Sequence, residues 1–468
     1  MTPPPFDCAL NSSTQEAELC AYTQAFFVLP TSSPSGNTAW ALTASAFMVA
    51  LGPAIGLYFS GQGGVKSAGN TLVMAAAAMA LVAFQWFLFG YSLAYGVNTE
   101  SIGNLAWGGF TTVFEAPSNI YSPTVPQLIY ACLQDQYAAF AASIIAGAIV
   151  ERMKFTRFVL FIFIWTTIVY DVVAHWIWSQ SSPGASPTSL AQGAVGGWAG
   201  WLSNGAHSNV VAVDFAGGIV VCVVAGSSGL AAATVLGPRH VSSAPPKPHD
   251  VPLAMIGVGF LWFAWLAMGS AAPRALADGV AGLAIWNTQI AASTGLLTWL
   301  LLEKLTGGAP SPLGATFGMI AGFAGISSGS GYISYWGAFL TGIICSLVCF
   351  LAKKLRVYLQ RPDDTLDTFT LFAVGGGMGA FCTGLFANPN VNLVSGAQGG
   401  FPNLLGYQLV AVCIAFIYSF GVTAILTLAL DKLFKARIAP DEEAAGVDVV
   451  EHGGLAYAKE GTPNAMGG

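Results

Sequence analysis

The chain has 468 residues, of which 54% are hydrophobic and only 8% charged, with a formal net charge of −6. A soluble domain carries roughly 25% charged residues, so the composition excludes a soluble protein and defines a polytopic membrane protein. No basic face points to nucleic acid, and no Walker loop, HExxH, nucleophile elbow or dinucleotide fingerprint points to an enzyme.

A span needs about 20 predominantly apolar residues. Runs of that kind occupy 38–60, 72–95, 126–150, 155–178, 212–236, 251–270, 279–303, 311–328, 332–353, 366–388 and 406–434, which predicts an all-α fold of eleven spans. Lys66, Arg152, Lys154, Arg157, Arg239, Lys247, Lys304, Lys353, Lys354, Arg356, Arg361, Lys432, Lys435, Arg437 and Lys459 fall in alternate loops or the C-terminal tail, and Arg274 alone falls on the other side. That asymmetry puts the N-terminus outside and the C-terminus in the cytoplasm.

Residues 1–36 read as an external Pro- and Ser-rich arm without a cleaved signal peptide. Cys8 and Cys20 there could form a disulfide, and Asn11 opens a glycosylation sequon, relevant in a eukaryotic host. The other six cysteines, Cys132, Cys222, Cys345, Cys349, Cys382 and Cys413, lie in spans and read as small core residues. Gly61, Gly63 and Gly64 are expected to break the first span. The third span is expected to open at a membrane edge with Gln134, Asp135, Gln136 and Tyr137, and to close with a Glu151–Arg152 ion pair. Gln136 reads as an interfacial cap; Gln134, Asp135 and Tyr137 suit either a cap or a cation vestibule. In the fourth span Asp171 and His175 are four apart and share a helix face. They form either a structural pair or a pH-sensitive part of the external mouth. Trp176 and Trp178 fit an aromatic belt or a stacking surface for a cation.

The fifth span, Val213 to Leu230, reads as a helix rich in small residues with Asp214 near one end. A carboxylate facing lipid is costly, so Asp214 should face the protein interior. It either ties helix ends together or helps to hold a cation. His240 and His249, in the Pro-rich linker 238–250, are expected to be solvated, and no metal or cofactor is implied. Gly314, Gly318, Gly322 and Gly325 predict close helix packing. Asp367 precedes a small-residue helix much as Asp214 does, which hints at two inverted repeats. The domain plan is therefore repeats at about 37–236 and 251–388, a final helix at 406–434, and a cytoplasmic tail at 435–468.

From Asn37 to Tyr457 the chain carries NTAWALTASAF, FGYSLAYG, GAIVERMKF, AHWIW, VDFAGGIVV, PHDVPLAMIGVGFLWFAW, NTQIAA, PSPLGATFGMIAGFAG, LFANPN and GVDVVEHGGLAY, in that order. In these it resembles the ammonium transporter / methylammonium permease / Rhesus protein family. The resemblance implies eleven helices, inverted five-helix repeats, and a homotrimer in the plasma membrane with one pore per subunit. It implies that Trp178 is the cage tryptophan of an external ammonium site, with Tyr137 in place of a gate phenylalanine and Gln134 three residues before it. Ser270 matches the site serine, although FAWLAMGS is about two residues shorter than the family pattern, and Met268 lies nearest the second gate position. Asp214 matches the supporting acid, and Trp265 the pore tryptophan. The two mid-pore histidines are missing: Cys222 stands eight residues after Asp214 and Phe372 five after Asp367. A thiol is a poor proton relay and a phenyl ring is none. Asp135 and Asp171, where the family is usually uncharged, would strengthen cation capture. Gly446, Asp448, Glu451, His452, Gly453 and Tyr457 match the regulatory tail that couples subunits. The implied function is ammonium or methylammonium transport; the alternative is a non-conducting ammonium sensor or a subunit of mixed trimers.

Overall fold

The computed structural model describes residues 35–96, 101–118, 121–179, 212–240, 247–272, 275–276, 279–359, 362–388, 390–392 and 402–457. Cys8, Cys20, Asn11 and Arg274 lie outside them.

The described chain is a bundle of helices. In order these are α1 (Ser35–Gln62), α2 (Val65–Tyr95), α3 (Gln127–Ile149), α4 (Phe155–Trp178), α5 (Gly218–Leu236), α6 (Val251–Ser270), α7 (Ala281–Leu305), α8 (Pro312–Ser327), α9 (Tyr335–Leu359), α10 (Phe369–Phe386) and α11 (Asn403–Phe434). Eight of them, all but α3, α7 and α8, are long and apolar enough to cross a membrane. The other three stand where runs were expected: α3 carries Gln134 to Gln136, α7 carries Glu303 and Lys304, and α8 is 16 residues long. A short antiparallel hairpin, β1 (Pro117–Ser118) and β2 (Ser122–Pro126), leads into α3. Two short helices follow α11: α12 (Pro440–Ala445) and α13 (Val447–His452).

Burial sorts these helices into centre and rim. In α5, 83% of the apolar window is buried, against 28% in α11. The small residues of α5 explain its place, because they let backbones meet. A side chain on Gly376 of α10 would collide with the Gly218 carbonyl at the start of α5, and one on Gly226 would lie 2.5 Å from Ala373 N. Gly229 faces Thr368. The start of each helix thus meets the interior of the other, so α5 and α10 cross antiparallel. The expected glycine packing of α8 is present too: Gly318 and Gly322 rest on the backbone of Gly295 and Ala291 in α7.

Asp214 is not inside a helix, as its sequence setting suggested. Gly217 takes a left-handed conformation (φ 88°) and the helix starts only at Gly218. The acid of α10 that corresponds to Asp214 is Asp364, not Asp367. Its carboxylate accepts from Thr368 N (3.0 Å) and Phe369 N (2.8 Å), and Phe372 follows it by the same eight residues that separate Asp214 from Cys222. Asp367 instead pairs with Lys353 and Arg356. Burial pushes the Asp364 carboxyl up to about 6, against the pull of Arg356 and its two backbone donors.

The Glu151–Arg152 pair does not form. Glu151 binds Arg239 (3.1 Å), which also holds Asp363 (3.0 Å). Arg152 turns inward to the carbonyls of Gly237 (2.8 Å) and Ala148 and the Thr365 hydroxyl (3.1 Å). The positive φ of Glu151 (72°) turns the two neighbours to different sides. Gly61 does not break α1; it lies in the last turn, where the backbone of Asp250 and Ala254 leaves no room for a side chain.

Candidate functional site: an aromatic vestibule above a capped helix

The site is built where α3, α4, α6 and the start of α5 meet. Beyond the Gly217 reversal, the first helical bonds run from Val221 N and Cys222 N to the Gly217 carbonyl, and the N–H groups of Gly218, Ile219 and Val220 lack helical partners. Asp214 folds back over them: Oδ2 accepts from Ile219 N (2.9 Å) and Val220 N (2.8 Å), and Oδ1 from the Ser328 hydroxyl (3.0 Å). The segment before α5 is pinned as well. Gln408 of α11 exchanges two hydrogen bonds with the Val213 backbone (2.7 and 2.8 Å), and Phe215 N and Ala216 N donate to the Ser328 and Ser327 carbonyls. Asp214 is buried, and it faces donors rather than lipid.

The rings stand on this cap. The Trp178 indole donates to the Asp214 carbonyl (2.8 Å), and the Tyr137 ring meets Trp178 edge to face with centroids 5.4 Å apart. Tyr137 is fixed in turn by its hydroxyl, which donates to the Met268 carbonyl (2.7 Å). Met268 therefore joins the site through its backbone. Ser270 is fully buried and donates its hydroxyl to the Leu266 and Ala267 carbonyls of its own helix (2.8 and 3.2 Å). α3 starts at Gln127, so Gln134 and Tyr137 sit within it rather than at its opening, and both are buried.

Below the vestibule, Trp265 donates to the Ser327 hydroxyl (3.0 Å) and stacks on Phe323 at 5.1 Å. Phe372 is stacked on the same indole at 6.5 Å. Phe140 meets Trp265 edge to face at 5.1 Å and Phe372 at 6.4 Å. Cys222 is fully buried, and the α5–α10 crossing brings Gly376 against it. Phe140 escaped sequence reasoning. It lies three residues after Tyr137, so both share a face of α3, and that spacing was the available signal.

The two added acids part company. Asp171 does not pair with His175. It accepts from Gln85 Nε2 (2.6 Å), whereas His175 Nδ1 meets the Ala94 carbonyl (3.0 Å). Asp135 accepts from its neighbour Gln136 (3.1 Å). Trp176 lies apart from the vestibule, on Tyr418 of α11.

The tail docks on the starts of α2 and α4 of its own chain. Asp448 accepts from Gly69 N (3.0 Å) and Asn70 N (2.7 Å) in α2, Glu451 accepts from Phe155 N (3.0 Å) at the start of α4, and His452 meets Asn70 Oδ1 (3.0 Å). Gly446 and Gly453 turn the chain with φ of 110° and 80°. Tyr457 packs edge to face on His249, whose Nδ1 meets the Gly63 carbonyl (3.3 Å). His249 is thus a docking surface rather than a solvated side chain. Burial pulls the Arg152 guanidinium, beneath this layer, down to about 10.

The bundle of long apolar helices defines a multi-pass membrane protein. The chain belongs to the ammonium transporter family, whose model matches residues 39–457. It is 35% identical over 429 residues to a putative ammonium transporter of Methanothermobacter thermautotrophicus, covering 90% of this chain and 98% of that one. The crystal structure of Candida albicans Mep2 superposes with a TM-score of 0.75 at 33% identity, covering 87% of each chain. A structure titled "Sensor Amt Protein" shares the fold with a TM-score of 0.76 at 24% identity, over 89% of this chain and 98% of that one. The protein is a multi-pass membrane protein and not an enzyme.

Proposed function

We propose that this chain captures ammonium or methylammonium at the outer face of the plasma membrane and passes it inward as the neutral amine, its proton returning to the outer solution, through a pore in each subunit of a homotrimer. Capture falls to the Trp178–Tyr137 corner, where ring faces attract a cation and the buried Asp214 charge lies beneath them. The observation that carries this reading is the join between those parts: the Trp178 indole is tethered to the backbone of the very residue whose carboxylate caps α5. Gln134 and Asp135 extend the vestibule on α3, and Ser270 contributes backbone shape, its hydroxyl being engaged in its own helix. Below, Trp265, Phe140, Phe372 and Cys222 make an apolar passage. It has no histidine, so a charged species meets no relay there, whereas a neutral amine needs none. The tail residues Gly446 to Tyr457 act as the regulatory element.

A second reading, a non-conducting ammonium sensor, is favoured by one observation: Phe140, Trp265 and Phe372 are in mutual ring contact across the expected path. Proteoliposome uptake of ammonium and methylammonium, measured beside binding, separates the two. Flux with saturation supports transport. Binding without flux, restored to flux by Phe140→Ala or by Cys222→His with Phe372→His, supports the sensor. Absence of both binding and flux overturns each and leaves a scaffold subunit.

A further inference from the structure

Behind the vestibule lies a polar cluster that the transport reading does not use. Gln85 of α2 and Asp171 of α4 are both fully buried and joined by one short hydrogen bond, with the Thr167 hydroxyl 3.2 Å from the same amide nitrogen. Each side chain keeps an oxygen with no hydrogen-bond partner, Gln85 Oε1 and Asp171 Oδ1, on the same carbon as the joined atom. The neighbouring Tyr170 hydroxyl is buried and unpartnered too. Trp86 and Tyr170, the residues next in sequence, place their rings 6.4 Å apart. Asp171 and Trp178 stand at the two ends of the last stretch of α4, about two turns apart, which sets the cluster near the vestibule.

Three features point to a ligand. Among the described residues no Lys or Arg pairs with Asp171, and a buried carboxylate without a counter-charge is strongly disfavoured. Gln85 Oε1 and the ionised Asp171 Oδ1 can only accept, which leaves two acceptors without a donor. Both helices also depart from α geometry at this contact: α2 turns π-helical at Trp86–Gly90, directly after Gln85, and α4 at Thr166–Tyr170, directly before Asp171. Such π turns are rare and frequently mark functional sites. The one on α2 ends at Gly90, where a side chain would collide with Gln85 Oε1.

We propose that α2 and α4 hold a second cation site, separate from the Trp178 vestibule, in which Asp171 Oδ1 and Gln85 Oε1 accept hydrogen bonds from one ammonium-class ion. Two oxygens are too few to replace the hydration shell of an alkali ion, which potassium filters do with rings of carbonyls. They suit an ion that donates N–H bonds and rests its remaining face on a ring such as Trp86. The site serves as a store of cation beside the capture point. It does not depend on conduction: a sensor would use it as readily as a transporter.

Calorimetric titration of the purified full-length protein with ammonium chloride, with potassium chloride as the reference, tests this. The parent should bind two ions per subunit. Asp171→Asn should lose one of them, and Gly90→Ala, which keeps every polar group but displaces Gln85 Oε1, should weaken the same ion by about tenfold, the scale of one hydrogen bond to a charge. Trp178→Ala should remove the other ion and leave this one. One ion in the parent, two in Asp171→Asn, or equal binding of potassium would overturn the proposal. Should Asp171→Asn fail to fold, two undiminished ions in Gly90→Ala would overturn it as well. An infrared carboxylic-acid band present in the parent under saturating ammonium and absent from Asp171→Asn would likewise overturn it, because Asp171 would then hold a proton instead.

Discussion

Replacing Asp214 separates two roles that the structure assigns to one carboxylate. Alanine removes three hydrogen bonds at once and leaves the Ile219 and Val220 N–H groups buried and unpaired. Each orphaned buried donor costs about 1–3 kcal/mol, so the two in Asp214→Ala should cost about 2–6 kcal/mol, a large part of the roughly 5–15 kcal/mol that holds a domain together. Asparagine keeps an acceptor oxygen for the two N–H groups and an amide that can donate to Ser328. It should cost about 1–2 kcal/mol, the difference between charged and neutral acceptors. It also leaves the Asp214 carbonyl in place, so Trp178 stays anchored. Only the charge is lost. At an effective dielectric constant of about 20 and a separation of roughly 8 Å, that charge attracts a cation by about 2 kcal/mol, or about thirtyfold in affinity. Thermal melting in detergent reports the first effect and ammonium titration the second. A parent-like melting temperature for Asp214→Ala would refute the capping argument; parent-like affinity in folded Asp214→Asn would refute the electrostatic one.

Gly376→Ala should destabilise by about 1–3 kcal/mol through overpacking, because the obstacle is the Gly218 backbone rather than a side chain that can swing away; melting temperature checks it. Asp448→Ala should release the tail, read as faster proteolysis after α11 with the membrane core intact. Asp364 carries a pH signature. Its folded carboxyl, raised by burial to about 6, lies above the unfolded value near 4, so the folded state holds the extra proton between them. The parent should therefore lose stability relative to Asp364→Asn as pH climbs through that window, by about 2–3 kcal/mol in all. Melting both proteins from pH 4 to pH 8 tests the sign, and a gap that widens in the parent's favour with rising pH would contradict it.

Hydropathy made the class and the helical runs legible, since lipid imposes one composition on every exposed face. Site residues were legible as types but not as partners. Asp214 reads as part of a helix because nothing in VDFAGGIVV shows that Gly217 takes a positive φ and reverses the chain. The choice of Asp367 over Asp364 had a remedy in the sequence: only Asp364 stands eight residues before Phe372, as Asp214 does before Cys222. Glu151 and Asp171 lost their expected neighbours to Arg239 and Gln85, which are distant in sequence. Such contacts are set by how helices are juxtaposed, and helical spacing within one segment cannot reveal them.

The short helix α13 has a mechanical corollary. Its two acids, Asp448 and Glu451, grip the first turns of α2 and α4 respectively. Those are the two rods whose regular winding slips one step at Gln85 and Asp171. Any force that lifts this handle would pull on both rods together, and the slack that takes up such a tug is the over-wide turn in each.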